Sequence, residues 1–234
     1  MKPIGIFRHF PTEGPGYFAT YLERCGLPWR IIPIDAGACV PEDASQFSGI
    51  AFMGGPMSVN DSLPWIDPVL RLIRHSFDRD VPVIGHCLGG QLMAKALGAA
   101  VTCSAYKEIG WGEVAVAVRP EARRWFGPVG RFTTFHWHGE TFAVPAGAVP
   151  VLSSTLCEHQ AFVLDKHLAL QCHVEMTAEL VASWCRSGAD EISASPGPGV
   201  QPPCEIERDM DRRLARLHRV ADCLYARWVE GLVR

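Results

Sequence analysis

The chain lacks the features that would tie it to a membrane or to nucleic acid. No apolar run approaches the ~18 residues needed to cross a bilayer. Lysine and arginine form no block, and the formal net charge is -3. Neither polyanions nor anionic lipid surfaces therefore have an electrostatic claim on it. The opening residues, Met1-Lys2-Pro3-Ile4-Gly5-Ile6-Phe7, turn polar too soon for a signal peptide and read as a first strand. No segment repeats. The nine cysteines include no C-x-x-C pair, are odd in number and are scattered. That pattern argues against a disulfide framework and predicts reduced thiols in a cytoplasm. What is present, 234 residues of which 48% are hydrophobic and 20% charged, suits one large globular domain.

Along the chain, short apolar runs alternate with helical patterns. Strands are expected at residues 4–7, 29–34, 48–53 and 81–85, with helices at 17–24, 63–79 and 92–97. In the second helix Val69, Leu70, Ile73 and Phe77 share a stripe that leaves Arg71, Arg74 and Asp78 outside. Such β-α-β-α alternation predicts an α/β fold with an open, mostly parallel sheet flanked by helices. From residue 100 the pattern changes. Closely spaced strands at 100–103, 111–118, 131–135, 149–153, 161–164 and 168–172 predict an added antiparallel region, with Asp165-Lys166-His167 as a hairpin connection. Helix resumes at 177–186. These elements assign residues 1–187 to one domain. Residues 188–204, rich in Ser, Gly and Pro, are expected to be an irregular loop. Residues 205–234 supply a last amphipathic helix, read as a cap on the same core, with a homodimer contact as its alternative use.

One stretch carries chemistry. The strand ending at Gly85 runs through His86-Cys87-Leu88 into Gly89-Gly90-Gln91 and a helix, a Gly-x-Cys-x-Gly nucleophile elbow. Gly85 and Gly89 keep the sharp turn free of side chains, so Cys87 is lifted above the sheet edge. The helix start behind it favours a thiolate. Such a nucleophile needs a base. His173, at the end of another apolar run, has Glu175 two residues on, and extended backbone puts both on one face. His136 and His138 are also two apart. With no third ligand at suitable spacing they read as pocket wall or core, and no metal site is assigned. Gln160 is expected to satisfy buried backbone groups.

Five motifs in this order, Gly54-Gly55-Pro56-Met57-Ser58, Gly85-His86-Cys87-Leu88-Gly89-Gly90-Gln91, His136-Trp137-His138-Gly139-Glu140, Gln160-Ala161-Phe162 and His173-Val174-Glu175, give the chain a recognisable pattern. It resembles the class I (triad) glutamine amidotransferases, nearest to GMP-synthase-like amidotransferase domains that occur as free-standing proteins, over roughly residues 1–185. The resemblance implies a flavodoxin-like fold, no cofactor, and a Cys87–His173–Glu175 triad that splits the side-chain amide of glutamine through a γ-glutamyl thioester. It implies an oxyanion hole from the backbone N–H groups of Gly55 and Leu88. It also implies substrate contacts from Gln91 and from the surroundings of Met57, Trp137, Gly139 and Glu140. Val174 stands where many relatives have proline. No ATP-pyrophosphatase module fits within the chain, so the ammonia acceptor is expected to be a separate synthase polypeptide or none. Many members of the family are poorly active until a partner orders the oxyanion loop, here residues 54–59. Two alternatives remain at this point: a free-standing hydrolase of γ-glutamyl amides or peptides, and a non-catalytic regulatory protein of the same fold.

Overall fold

In the first strand, β1 (Ile4–Arg8), Ile4 and Ile6 point to one side of the sheet and Phe7 to the other. All three are fully buried, as required of a strand covered on both faces. The structure is a computed structural model and describes residues 1–233; Arg234, the end of the expected 205–234 segment, lies outside the described residues.

Helix α1 (Gly16–Arg24) leads from β1 to β2 (Trp29–Pro33), and β3 (Ile50–Phe52) is followed by α2 (Ile66–Asp78). Next come β4 (Val83–His86) and α3 (Leu88–Ala96). The second half holds β5 (Val101–Val116), α4 (Pro120–Phe126), β6 (Arg131–Phe142), β7 (Val149–Ser153), β8 (Ala161–Leu164) and β9 (His167–Leu170). Helices α5 (Ala178–Ser187), α6 (Ala189–Ala194), α7 (Pro203–Ile206) and α8 (Met210–Val229) close the chain. One sheet runs in the order β2-β1-β3-β4-β9-β8-β7-β5-β6. Pairing is parallel from β2 through β9 and antiparallel beyond it. The expected fold class is therefore the observed one.

Two apolar layers cover the sheet. One joins Phe18 and Leu22 of α1, Trp184 of α5 and Leu217, Leu224, Tyr225 and Trp228 of α8. The other joins Val69, Leu72 and Ile73 of α2 to Leu92 and Met93 of α3. Each such side chain taken from water contributes about 1.5–3 kcal/mol. α8 thus caps the core through its apolar face. Among the described residues no helix is long and apolar enough to cross a membrane, and all nine cysteines are free thiols.

Three local expectations need correction. The strands expected at 100–103 and 111–118 are one strand, β5, whose register against β6 shifts between Cys103 and Glu108. That irregularity interrupts the alternation by which a strand is recognised. Likewise β6 continues past residue 135, so the His136–Glu140 motif lies within a strand pair. The 188–204 segment is not simply a loop. It contains α6 and the first residues of α7, and Val200 makes a β-bridge to Ile109.

Candidate active site

Helix α3 starts one residue after β4 ends, and Cys87 is the whole connection. Its backbone sits at φ 49°, ψ -106°, a region that costs a non-glycine residue of order 1–3 kcal/mol. The neighbours hold it there: Cys87 N–H donates to the Leu170 carbonyl of β9 at 2.8 Å, and Gln91 N–H donates to the Cys87 carbonyl at 3.0 Å. A Cβ at Gly89 would overlap the Phe52 carbonyl, and one at Gly85 would overlap the backbone of Gly89 and Gly90. The two glycines are needed for backbone approach, as the elbow pattern predicts. Leu88 opens the helix, so its N–H is one of the donors a helix start leaves unpaired.

Beyond β9 the chain bends at Gln171–Cys172 and at Val174–Glu175 rather than running on as the expected extended segment, and a lone bridge holds His173, whose N–H donates to the Phe135 carbonyl at 2.8 Å. His173 Nδ1 lies 2.7 Å from Glu175 Oε1. Both residues are buried, and Trp184 packs edge-on against the imidazole at 4.8 Å between ring centres. Burial alone would lower the basicity of His173, but the Glu175 carboxylate and the Cys87 sulfur outweigh it and hold the imidazole well above its usual range. Burial would likewise raise the Glu175 carboxyl; the charge on His173, helped by His86, instead holds it at about 2. Both shifts run in the direction that favours an imidazolium–carboxylate pair. His86 Nε2 approaches Glu175 Oε2 at 3.9 Å and the Tyr225 hydroxyl at 3.2 Å, tying the acid to α8.

A cavity of about 480 Å³ opens over these groups, lined by Gly55, Met57, Cys87, Gln91, Trp137, Gly139, Glu140 and His173 among others. Leu88 packs behind Gly55, whose Cβ position its side chain would contest at 2.8 Å. Glu175 stands behind His173, away from the cavity. The structure thus brings together every residue expected at the site. The glycine loop after β3 is braced: Ser58 Oγ donates to Glu140 Oε1 at 2.9 Å, and Lys95 Nζ donates to the Val59 carbonyl at 2.6 Å.

Sequence reasoning missed four residues of this site. Gln171 donates through Nε2 to Cys87 Sγ at 3.5 Å and accepts from Gln91 Nε2 at 3.1 Å. Gln171 precedes His173 by the same two-residue spacing that separates His173 from Glu175, and that spacing could have found it. Glu191 of α6 accepts from Lys107 Nζ at 2.7 Å and from Trp137 Nε1 at 2.9 Å, clasping the rim. Glu13, in the loop after β1, turns its carboxyl toward Gly54, where a Cβ would collide with it. That loop is fixed by Trp184 Nε1 donating to the Thr12 carbonyl at 2.9 Å. No local signal marked Glu13, Lys107 or Glu191.

Burial raises the Glu13 carboxyl from 4.5 to about 7, with positive His173 opposing and negative Glu175 adding. Between those values the folded protein holds a proton that the unfolded chain releases, so this group's stabilising contribution is full below 4.5 and is lost as pH rises to about 7. Unfolding by denaturant across pH should show wild-type stability falling relative to Glu13→Gln over that window and level above it. A difference independent of pH would show that Glu13 does not carry the proton.

His138 lines the cavity, whereas His136 lies in the core. The expectation that no third group accompanies them does not hold, because Glu108 of β5 meets both. Gln160 also differs from expectation. Its Nε2 donates to the side chains of Glu108, at 2.7 Å, and Ser154, at 3.2 Å, rather than to backbone.

A doubly covered sheet with a thiol at a strand-to-helix corner, facing an imidazole–carboxylate pair from the segment that follows a later strand, defines a class of α/β protein built around a cysteine elbow. Within that class the chain belongs to the glutamine amidotransferase class-I family, whose sequence profile matches residues 17–183. It is similar to the crystal structure of a glutamine amidotransferase from Methylobacillus flagellatus, with 44% identity and a TM-score of 0.97 over 100% of this chain and 96% of that one. A glutamine amidotransferase-like protein of Salmonella typhimurium is 29% identical over 200 residues, 81% of this chain and 82% of its own. The glutamine-hydrolysing GMP synthase of Vibrio vulnificus is 33% identical over 140 residues, 58% of this chain but 26% of that protein. The matched stretch therefore spans about a quarter of the length of such synthases.

Proposed function

We propose that this protein hydrolyses the side-chain amide of glutamine by the triad Cys87, His173 and Glu175. The Cys87 sulfur attacks the amide carbon, and the developing oxyanion is held by the N–H groups of Gly55 and Leu88. His173, oriented by Glu175, passes the thiol proton to the departing nitrogen, which leaves as ammonia. Water, deprotonated by the same imidazole, then cleaves the γ-glutamyl thioester to give glutamate and the free thiol. Gln91 and the cavity wall at Met57, Trp137, Gly139 and Glu140 hold the amino-acid end of the substrate, and no cofactor takes part. Residues 1–187 act as the amidotransferase domain, with α8 as its cap and the 188–204 segment contributing Glu191 to the rim. The ammonia passes to a separate synthase.

The observation that carries this reading is the meeting of Cys87 and His173 in one cavity, with Glu175 bonded to His173 from behind, in a family member. The bracing of the 54–59 loop supports turnover without a partner. A second reading, hydrolysis of larger γ-glutamyl amides or peptides, is favoured by the cavity continuing past the thiol to Ser187, Gly188 and Glu191. Purified protein offered glutamine and γ-glutamyl dipeptides, with released ammonia or amine measured, separates the two. Glutamine turnover that leads and rises on adding a synthase supports the first. Faster turnover of dipeptides replaces it with the second. If neither is turned over and a glutamine-analogue chloroketone fails to label Cys87, the chain is a non-catalytic binding protein.

A further inference from the structure

Behind the cavity wall, a second group of side chains has no part in the amide chemistry. Glu108 on β5 stands directly opposite His138 on β6, and His136 is two residues earlier on the same strand. Alternation puts all three on one face. Each is at most 5% exposed, and one ligand-type atom from each lies within 4.8 Å of the other two. His138 Nε2 is 3.3 Å from Glu108 Oε2.

The hydrogen bonds around this group leave lone pairs facing one another. His138 Nδ1 lies 3.1 Å from the Glu140 carbonyl, a contact made by Nδ1–H, and in the neutral ring of that tautomer the lone pair on Nε2 faces the carboxylate. Glu108 is itself fixed from behind, by Gln160 Nε2 on Oε2 at 2.7 Å and Ser154 Oγ on Oε1 at 3.1 Å. Neither nitrogen of His136 has a hydrogen-bond partner, although both are buried. A divalent cation would satisfy all three residues at once.

We infer that Glu108, His136 and His138 form a binding site for a divalent transition-metal ion of the zinc type. Two imidazoles and one carboxylate are a common donor set for such ions, and unsuited to magnesium or calcium. The Glu140 carbonyl, Gln160 and Ser154 stand where supporting partners orient metal ligands. Side-chain adjustments of about 1 Å would bring the three atoms to the 2.0–2.2 Å ligand distances of zinc. His138 reaches the cavity wall, which gives an ion an entry route.

The test uses the full chain, stripped with a chelator and kept reduced, and titrated with Co²⁺ alone and then Zn²⁺ alone. One Co²⁺ per chain is expected, with visible d–d absorption, no thiolate-to-cobalt band in the near ultraviolet, and displacement by Zn²⁺. The absence of the thiolate band matters because nine free cysteines offer a competing route. His136→Gln and Glu108→Gln, each checked for folding by circular dichroism, should weaken Co²⁺ binding more than the ~10–100-fold expected for losing a supporting partner such as Gln160. Absence of one-to-one uptake at submillimolar Co²⁺, a thiolate band, or equal affinity in either folded variant overturns the proposal. Should both variants misfold, the wild-type stoichiometry and spectrum decide by themselves.

Discussion

Cys87→Ala is expected to lower glutamine turnover by at least about 10⁴-fold while leaving the fold intact. The size follows from the role assigned to the sulfur: without it no thioester forms, and what remains is the oxyanion hole and substrate binding acting on water. The fold should survive because the elbow is held by backbone contacts, Cys87 N–H to the Leu170 carbonyl and Gln91 N–H to the Cys87 carbonyl, rather than by the thiol. Alanine would occupy the same positive-φ position as cysteine at similar strain, so the stability change should stay within about 1 kcal/mol. Ammonia release under saturating glutamine, with thermal unfolding alongside, checks both halves. Wild-type turnover in the variant would remove Cys87 as nucleophile, and with it the proposed mechanism.

The second large effect is expected from Glu175→Gln. An amide at this position can present its N–H to the ring and favour the wrong tautomer, and it leaves a buried imidazolium without its counter-charge. A loss in kcat of ~10³–10⁴-fold is expected, by analogy with triads whose acid is made an amide. A pH effect separates this role from mere packing. Glu175 is held at about 2 in the folded protein against 4.5 ordinarily. The unfolded chain therefore binds the proton first, and the group's stabilising contribution is complete above 4.5 and lost as pH falls toward 2. Wild type should lose stability across that window more steeply than Glu175→Gln, as read by denaturant unfolding in a pH series. Parallel curves would mean that the His173–Glu175 pair is not charged in the folded state.

The elbow and the His173–Glu175 contact were legible before any coordinates because each is written in local chain spacing. Gly85 and Gly89 bracket Cys87 at the spacing a sharp turn demands, and His173 lies two residues from Glu175, although the chain bends between them instead of alternating as a strand. The parallel half of the sheet was legible for a related reason: strands buried on both faces leave continuous apolar runs. The β5–β6 region was harder. Its register shift between Cys103 and Glu108 breaks alternation where the chain approaches the site. The 188–204 segment was misjudged because six residues of helix among Ser, Gly and Pro give too short a pattern to stand out.

By itself, then, the sequence determined the family and the class of fold, since a turn that only small residues permit and apolar runs buried on both faces depend on neighbours in the chain. Tertiary structure alone decided what surrounds that chemistry. Glu13, Gln171 and Glu191 reach Gly54, the Cys87 thiol and the cavity rim, and Glu108 joins His136 and His138. These are contacts across sheet order and strand register. A single polar residue in a loop or on a short helix carries no period, so its partner is fixed only when the sheet closes and brings the two together.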